Sequence, residues 1–142
     1  GGVGPAERRP AAFGEGLYAA DVTRRTYDET LRVAGEILGA GWPVIVDGTF
    51  STAEQRRAAR ALAVRLGVPF ALLWCEAPDA VLADRLRRRS AQGRDVSDAG
   101  PELLARHRAQ YEPPGGEDDV ILVDTRADAE DAAAEVLSRL AG

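Results

Sequence analysis

The sequence contains no lysine; all eighteen of its basic residues are arginine. It contains no methionine, one cysteine (Cys75) and one histidine (His107). A single cysteine excludes an internal disulfide and a cysteine-rich zinc site. It leaves a reducing cytoplasm as the expected compartment. The lone histidine sits among charges in "ARHRAQY" and forms no recognisable Ser–His–Asp or Cys–His pattern. Long hydrophobic runs are missing too: none approaches the ~20 residues of a membrane span, and no signal peptide is expected. Positive charge is in deficit, with a formal net charge of −5, which argues against nucleic-acid binding driven by bulk charge. Without methionine, and with a Gly-Gly-Val-Gly opening, the chain is expected to be a piece of something longer. Its arginine and alanine bias points to a GC-rich bacterial genome.

What is present fits one globular domain. The chain has 142 residues, 45% hydrophobic and 29% charged, enough for a real core. Residues 1–21 read as a loop-rich lead-in, punctuated by Gly1, Gly2, Gly4, Pro5 and Pro10. Residues 22–40 read as a helix, with Tyr27, Leu31, Ala34, Ile37 and Leu38 at helical spacing and Gly39 and Gly41 as stops. Pro43 opens a β-branched strand at residues 44–46, of the kind buried on both faces. Ser51 and Glu54 have capping-box spacing. The helix they open carries Ala58, Leu62 and Leu66 and ends at Gly67. Residues 68–75 read as a second strand with a buried, inert Cys75. Pro78 starts a third helix with Val81, Leu82 and Leu86 on one side. A polar loop follows at residues 90–98. A fourth helix is expected over residues 101–111, a third strand over 120–123, and a closing helix over 127–140. That last helix has Ala129, Ala133, Val136, Leu137 and Leu140 as its inward face. Trp42 and Trp74 border strands and read as packing residues.

Strands alternating with helices predict an α/β fold with a parallel sheet covered on both faces. Functional groups then gather at the carboxyl ends of the strands: Asp47-Gly48-Thr49, Cys75-Glu76 and Asp124-Thr125. Asp47 is the first candidate, because a carboxylate there can hold magnesium that bridges nucleotide phosphates. The plain alternative is an acid that caps the following loop. The arginines are the second candidate. Arg85, Arg88, Arg89 and Arg94 lie on a helix end and the loop after it, and Arg85 and Arg89 share a helix face. Paired arginine hydrogen bonds stabilise a transferring phosphoryl group, and an arginine-bearing lid over residues 84–98 would exclude water. The alternative is a solvated basic face offset by Glu76, Asp79 and Asp84. The opening "GGVGP" is rejected as a phosphate loop, since neither a helix start nor a lysine is read after it.

The succession "FGEGLY", "RTYDETLRVAGEILGAGWPVIVDGTFSTAEQRRAARALA", "CEAPDAVLADRLRRR", "DVSDA" and "YEP" resembles the C-terminal two-thirds of a bacterial AAA-type ATP-binding domain. That group is similar to zeta toxin, chloramphenicol phosphotransferase, gluconate kinase and polynucleotide kinase. In several bacterial proteins such a domain follows an aminoglycoside-phosphotransferase-like region. The resemblance implies a three-layer P-loop NTPase-like parallel sheet with helices on both faces, here missing its first strands. It implies ATP and Mg2+ as cofactors and a small-molecule hydroxyl compound as acceptor. Asp47 would be the acid that places the metal, with Thr49 beside it and Arg56 at the cofactor. Arg85, Arg89 and Arg94 would be the catalytic lid arginines. Asp98 matches a family acid of unassigned role, and Tyr18 and Tyr27 match packing or substrate-side positions.

The departure from that pattern is the phosphate loop. A complete domain carries GxxxxGK[ST], whose backbone N–H groups and lysine hold the phosphates. A chain without lysine cannot supply that group, so residues 1–142 are expected to form a single partial domain that binds ATP poorly by itself. An N-terminal region outside the chain would supply the loop. The competing expectation is a degenerate or truncated module that serves in folding or protein contact. A third is a flavodoxin-like binding domain, which leaves the arginines unexplained.

Overall fold

The computed structural model describes residues 8–92 and 101–142. The elements are α1 (Arg8–Gly39), α2 (Ala53–Leu66), β1 (Leu72–Glu76), α3 (Asp79–Gln92), α4 (Pro101–Ala109), β2 (Val120–Asp124) and α5 (Ala129–Ala141). They divide into two compact units. One holds residues 1–49 and 58–67, the other residues 50–57 and 68–142.

In the first unit α1 is 32 residues long, so the stretch expected to be loop-rich is helical from Arg8 onward. Pro10 explains why this is possible. It stands in the first turn, where its missing N–H has no intrahelical partner to lose. The helix start after "GGVGP" therefore exists, while the lysine is still absent. Ion pairs of Arg25 with Asp21 and of Arg32 with Glu29 and Glu36 support the exposed face. Ala34 is the buried centre of the inner face, and Tyr27, Leu31 and Leu38 are half-buried around it. Tyr18 lies in the open at 69% exposure, which corrects its reading as a packing residue. A Schellman turn ends the helix: Trp42 N–H donates to the Ile37 carbonyl at 3.2 Å and Gly41 N–H to that of Leu38 at 2.9 Å. Gly41 takes the left-handed conformation this motif requires, with φ +92°. Beyond the turn, Trp42 is exposed rather than packed.

Residues 44–46 do not form the expected buried strand. No ladder includes them, and Ile45 is 94% exposed. The β-branched run is right for a central strand, but a strand exists only through its neighbours' hydrogen bonds. None pairs with it among the described residues.

α2 begins in the second unit and continues in the first. Its capping box is one residue later than expected. Gln55 N–H donates to Thr52 Oγ1 and Thr52 N–H to Gln55 Oε1, each at 3.2 Å. Thr52 and Gln55 have the same i, i+3 spacing as Ser51 and Glu54, so spacing alone did not separate them. Leu62 and Ala63 are its buried residues, and Gly67 closes it at φ +67°.

The second unit is built on a two-stranded parallel sheet, Leu72 opposite Val120 through Glu76 opposite Asp124. The architecture is thus mixed α/β with a small parallel sheet. β1 starts four residues later than expected, and Cys75 is exposed rather than buried. Among the described residues β1 pairs only with β2, and most of its side chains stay exposed or half-buried rather than covered on both faces. α3 buries Ala83 and half-buries Val81, Leu82 and Leu86 as expected, and it runs on to Gln92, into the segment read as loop. An Arg108–Asp79 ion pair ties α4 to α3. α5 is capped by Asp128, which accepts from Glu130 N–H. Of the expected inward face of α5 only Val136 is half-buried; Ala129, Ala133, Leu137 and Leu140 are exposed, Leu137 at 66%, and Ala132, outside that face, is half-buried instead.

Candidate functional site

Asp47 lies in the first unit, in an extended stretch after the unpaired residues 44–46. Its carboxylate is exposed and takes no hydrogen bond from a described residue. Gly48 bends the chain, and Thr49 Oγ1 lies 3.2 Å from Tyr27 Oη, a hydrogen bond within the same unit. No cluster of three metal-type side chains occurs among the described residues. A magnesium ion does not need one. It keeps several waters and binds through one or two carboxylates plus substrate phosphates, so the free Asp47 carboxylate fits that ion as a single hard oxygen ligand.

Phe50 follows directly and is the only non-glycine residue with positive φ among the described residues, at +43°. A bulky side chain in that region is strained by roughly 1–2 kcal/mol. Burial of its ring and a hydrogen bond to its carbonyl offset the strain. The donor is Arg56 Nη1, at 2.9 Å. Arg56 is 1% exposed. Its Nε lies 3.3 Å from both Glu117 carboxylate oxygens, and its guanidinium carbon stands 5.8 Å from the centre of the Trp74 ring. Trp74 in turn meets Tyr111 edge-on, with 6.3 Å between ring centres. Arg56, expected at a cofactor, is therefore engaged by a carboxylate, a backbone carbonyl and an aromatic face of the protein itself. Its place in this structure is that of a buried organiser of the turn after Thr49.

Arg85 and Arg89 belong to the second unit. Arg85 crosses to the loop after β2. Its Nη1 donates to Thr125 Oγ1 at 2.8 Å and its Nη2 to the Thr125 carbonyl at 2.7 Å. Thr125 passes the connection to β1: its hydroxyl and its N–H both donate to the Glu76 carbonyl, at 2.9 and 2.8 Å. Arg85 thus clasps the carboxyl ends of both strands. Arg89, one helical turn further, is exposed and makes no ion pair with a described residue. Arg88 pairs with Asp84 at 3.1 Å. Arg94 and Asp98 lie outside the described residues.

Beside the Arg85 clasp, Asp124 receives a fork from Arg126: Nε to Oδ1 at 3.0 Å and Nη2 to Oδ2 at 2.6 Å. The Arg126 backbone N–H adds a bond of 2.9 Å to Oδ1. These hold the Asp124 carboxyl down at about 2 from its ordinary 3.8; the Arg126 side-chain bonds act most, then its backbone N–H, with the Arg126 and Arg85 charges adding. A depressed carboxyl favours the folded state above the unfolded value near 3.8 and loses that contribution as pH falls through about 2. Carboxyl NMR should therefore find Asp124 titrating near 2, and Arg126→Ala should return the midpoint toward 3.8. A wild-type midpoint near 3.8 would contradict the geometry.

Sequence reasoning named the strand ends but missed Glu117 and Arg126. Asp124-Thr125 was legible as a strand terminus. The Asp–x–Arg fork of residues 124–126 was the available local signal. Nothing in sequence linked Arg56 to Glu117, which are 61 positions apart.

Known proteins resemble the chain along most of its length. It is 32% identical over 103 residues to the uncharacterized protein Rv2004c of Mycobacterium tuberculosis (strain ATCC 25618 / H37Rv), covering 72% of this chain and 21% of that protein. Identity and coverage are the same for the uncharacterized protein Mb2027c of Mycobacterium bovis. The chain thus spans about a fifth of the length of these curated relatives. No solved structure matches it. The family described as "AAA domain" matches residues 5–114, a stretch that contains the DGT turn, Arg56 and the arginines of α3. With most of its residues so matched, the chain belongs to the AAA domain family.

Proposed function

We propose that this chain is the magnesium-side and lid-side part of an ATP-dependent phosphotransferase, in which Asp47 serves the metal. The observation that carries the reading is the exposed Asp47 carboxylate, directly after the β-branched residues 44–46 and inside the matched family region. In the intact protein the sheet is a three-layer P-loop NTPase-like one with helices on both faces. Mg-ATP supplies the phosphoryl group and the charge neutralisation at its oxygens. Asp47 orients the metal's water shell, and Thr49 offers a hydroxyl beside it. Arg85, Arg89 and Arg94 steady the transferring group, with Arg89 the most available of the described pair. For Arg85 this requires exchange of its Thr125 bonds for phosphate oxygens. Arg56 acts through the turn after Thr49 rather than on the nucleotide itself. The acceptor is a small hydroxyl compound, in a cytoplasmic, bacterial setting.

The same reading makes the 142-residue chain a weak ATP binder by itself, since it has no lysine to set on the phosphates. A polypeptide extended upstream of Gly1 would add the phosphate loop. The experiment is a calorimetric titration of Mg-ATP into that longer polypeptide, with and without Asp47→Ala. Loss of binding in the variant supports the reading; unchanged binding removes Asp47 from the site. A second reading, a non-catalytic module, draws on the engagement of Arg56 and Arg85 by protein groups. No Mg-ATP binding by the longer wild type would favour it.

A further inference from the structure

Helix α1 has a face that the reading above leaves unused. Tyr18, Val22, Thr26, Thr30, Val33 and Ile37 follow one another in steps of four, four, four, three and four, so they form one stripe along the helix. The stripe covers about 28 Å at 1.5 Å per residue. All six are exposed except Thr30, which is half-buried. The threonines add to its apolar character. Thr26 Oγ1 donates to the Val22 carbonyl at 2.8 Å and Thr30 Oγ1 to the Thr26 carbonyl at 2.7 Å, so both hydroxyls are spent on the helix itself. The inner face of α1, with Tyr27, Leu31, Ala34 and Leu38, is a different one. An exposed apolar row of this length marks a place for a partner.

The charges beside the stripe indicate which partner. Arg25, Glu29, Arg32 and Glu36 run along one border in steps of four, three and four, and they alternate in sign. Read backwards, the order is acid, base, acid, base. A second helix of the same sequence, laid antiparallel, therefore meets every charge with its opposite. A parallel copy in register would set each charge against its like. We propose that α1 pairs antiparallel with α1 of a second copy of this chain, about a two-fold axis at Thr30. Such an axis brings the same border of both helices together. Val22 of one copy then faces Ile37 of the other, Thr26 faces Val33, and Thr30 meets its own counterpart. On the border Arg25 faces Glu36 and Glu29 faces Arg32. Within its own helix Arg32 already pairs with Glu29 and Glu36. A guanidinium has five donors and a carboxylate several acceptor sites, so the contacts across the axis extend these pairs rather than replace them. A single helix stripe lies at the low end of specific interfaces, below ~1,200 Å², so the pair is reversible. The pairing does not depend on the phosphotransferase reading.

Sedimentation equilibrium of the 142-residue chain at low ionic strength tests it. Wild type at about 100 μM should contain a substantial fraction of dimer; a chain that stays monomeric there would overturn the pairing. Val33→Asp, at an exposed position of the stripe, should remove the dimer, and a dimer that survives it would place the contact elsewhere and overturn the proposal. Glu29→Arg and Arg32→Glu each set like charges together at two symmetry-related places. Each should raise the dissociation constant at least about tenfold. Either substitution also breaks the Arg32–Glu29 pair inside the helix, so an equimolar mixture of the two variants is the arm that isolates the contact between copies. In the mixed pair the arginine introduced by Glu29→Arg faces the glutamate introduced by Arg32→Glu, and the native Arg32 of one chain faces the native Glu29 of the other. The mixture should associate about as tightly as wild type, although neither variant has regained its own intrahelical pair. A mixture no more associated than the separate variants would overturn the antiparallel register, as would single variants that dimerise like wild type.

Discussion

Arg56→Ala should destabilise the protein by about 3–5 kcal/mol, the cost typical of removing one member of a buried ion pair. The side chains of Arg56 and Glu117 are 2% and 20% exposed, so water cannot readily take the place of the lost guanidinium. Three groups lose a partner together: the Glu117 carboxylate, the Phe50 carbonyl and the face of Trp74. The Phe50 carbonyl alone, left unpaired, accounts for roughly 1–3 kcal/mol. Arg56→Met should cost less, since its side chain still fills much of the space against Trp74. The double variant Arg56→Met/Glu117→Gln should recover part of that loss, because it no longer buries an unpaired charge. Urea unfolding of the four proteins measures this. Equal stability of Arg56→Ala and wild type would show that the network contributes nothing.

Asp47→Ala should behave in the opposite way. An exposed carboxylate without a bond to a described residue makes little contribution to folding, so stability should change by no more than about 0.5 kcal/mol. ATP turnover by the upstream-extended polypeptide should fall by about 100- to 1,000-fold, the scale associated with losing one preorganised electrostatic contact at a transferring group. Equal kcat/KM in variant and wild type would exclude Asp47 from the chemistry. A large loss of stability instead would mean that the carboxylate is a loop cap, the plain alternative for an acid in this position.

These two residues also show how much of the candidate site is legible in sequence. Both stood out in sequence, Asp47 at the end of a β-branched run and Arg56 by family order. Their opposite environments were not legible. Burial of Arg56 depends on Glu117 and Trp74, which approach it only once the chain has folded. Helices α2, α3 and α5 and strand β2 were legible within a few residues, because apolar spacing, Gly67 and Pro78 act locally. Residues 44–46 were misread for the complementary reason. β-branching reports suitability for a sheet, whereas the sheet itself needs partners that local sequence does not supply. The same holds for Cys75 and for Leu137, apolar positions left in the open. The start of the long α1 is hidden in sequence because Pro10 and the glycines resemble breakers, while a first-turn proline is compatible with a helix.

The central claim is that Asp47 is half of a magnesium–phosphate site whose phosphate-binding half lies outside these 142 residues. Calorimetric titration of Mg-ATP into two proteins, this chain and the polypeptide extended upstream of Gly1, tests it most directly. The account predicts binding in the micromolar range, about −8 kcal/mol, for the extended protein. It predicts weaker-than-millimolar binding, above about −4 kcal/mol, for this chain. Micromolar binding by the 142-residue chain alone would contradict it.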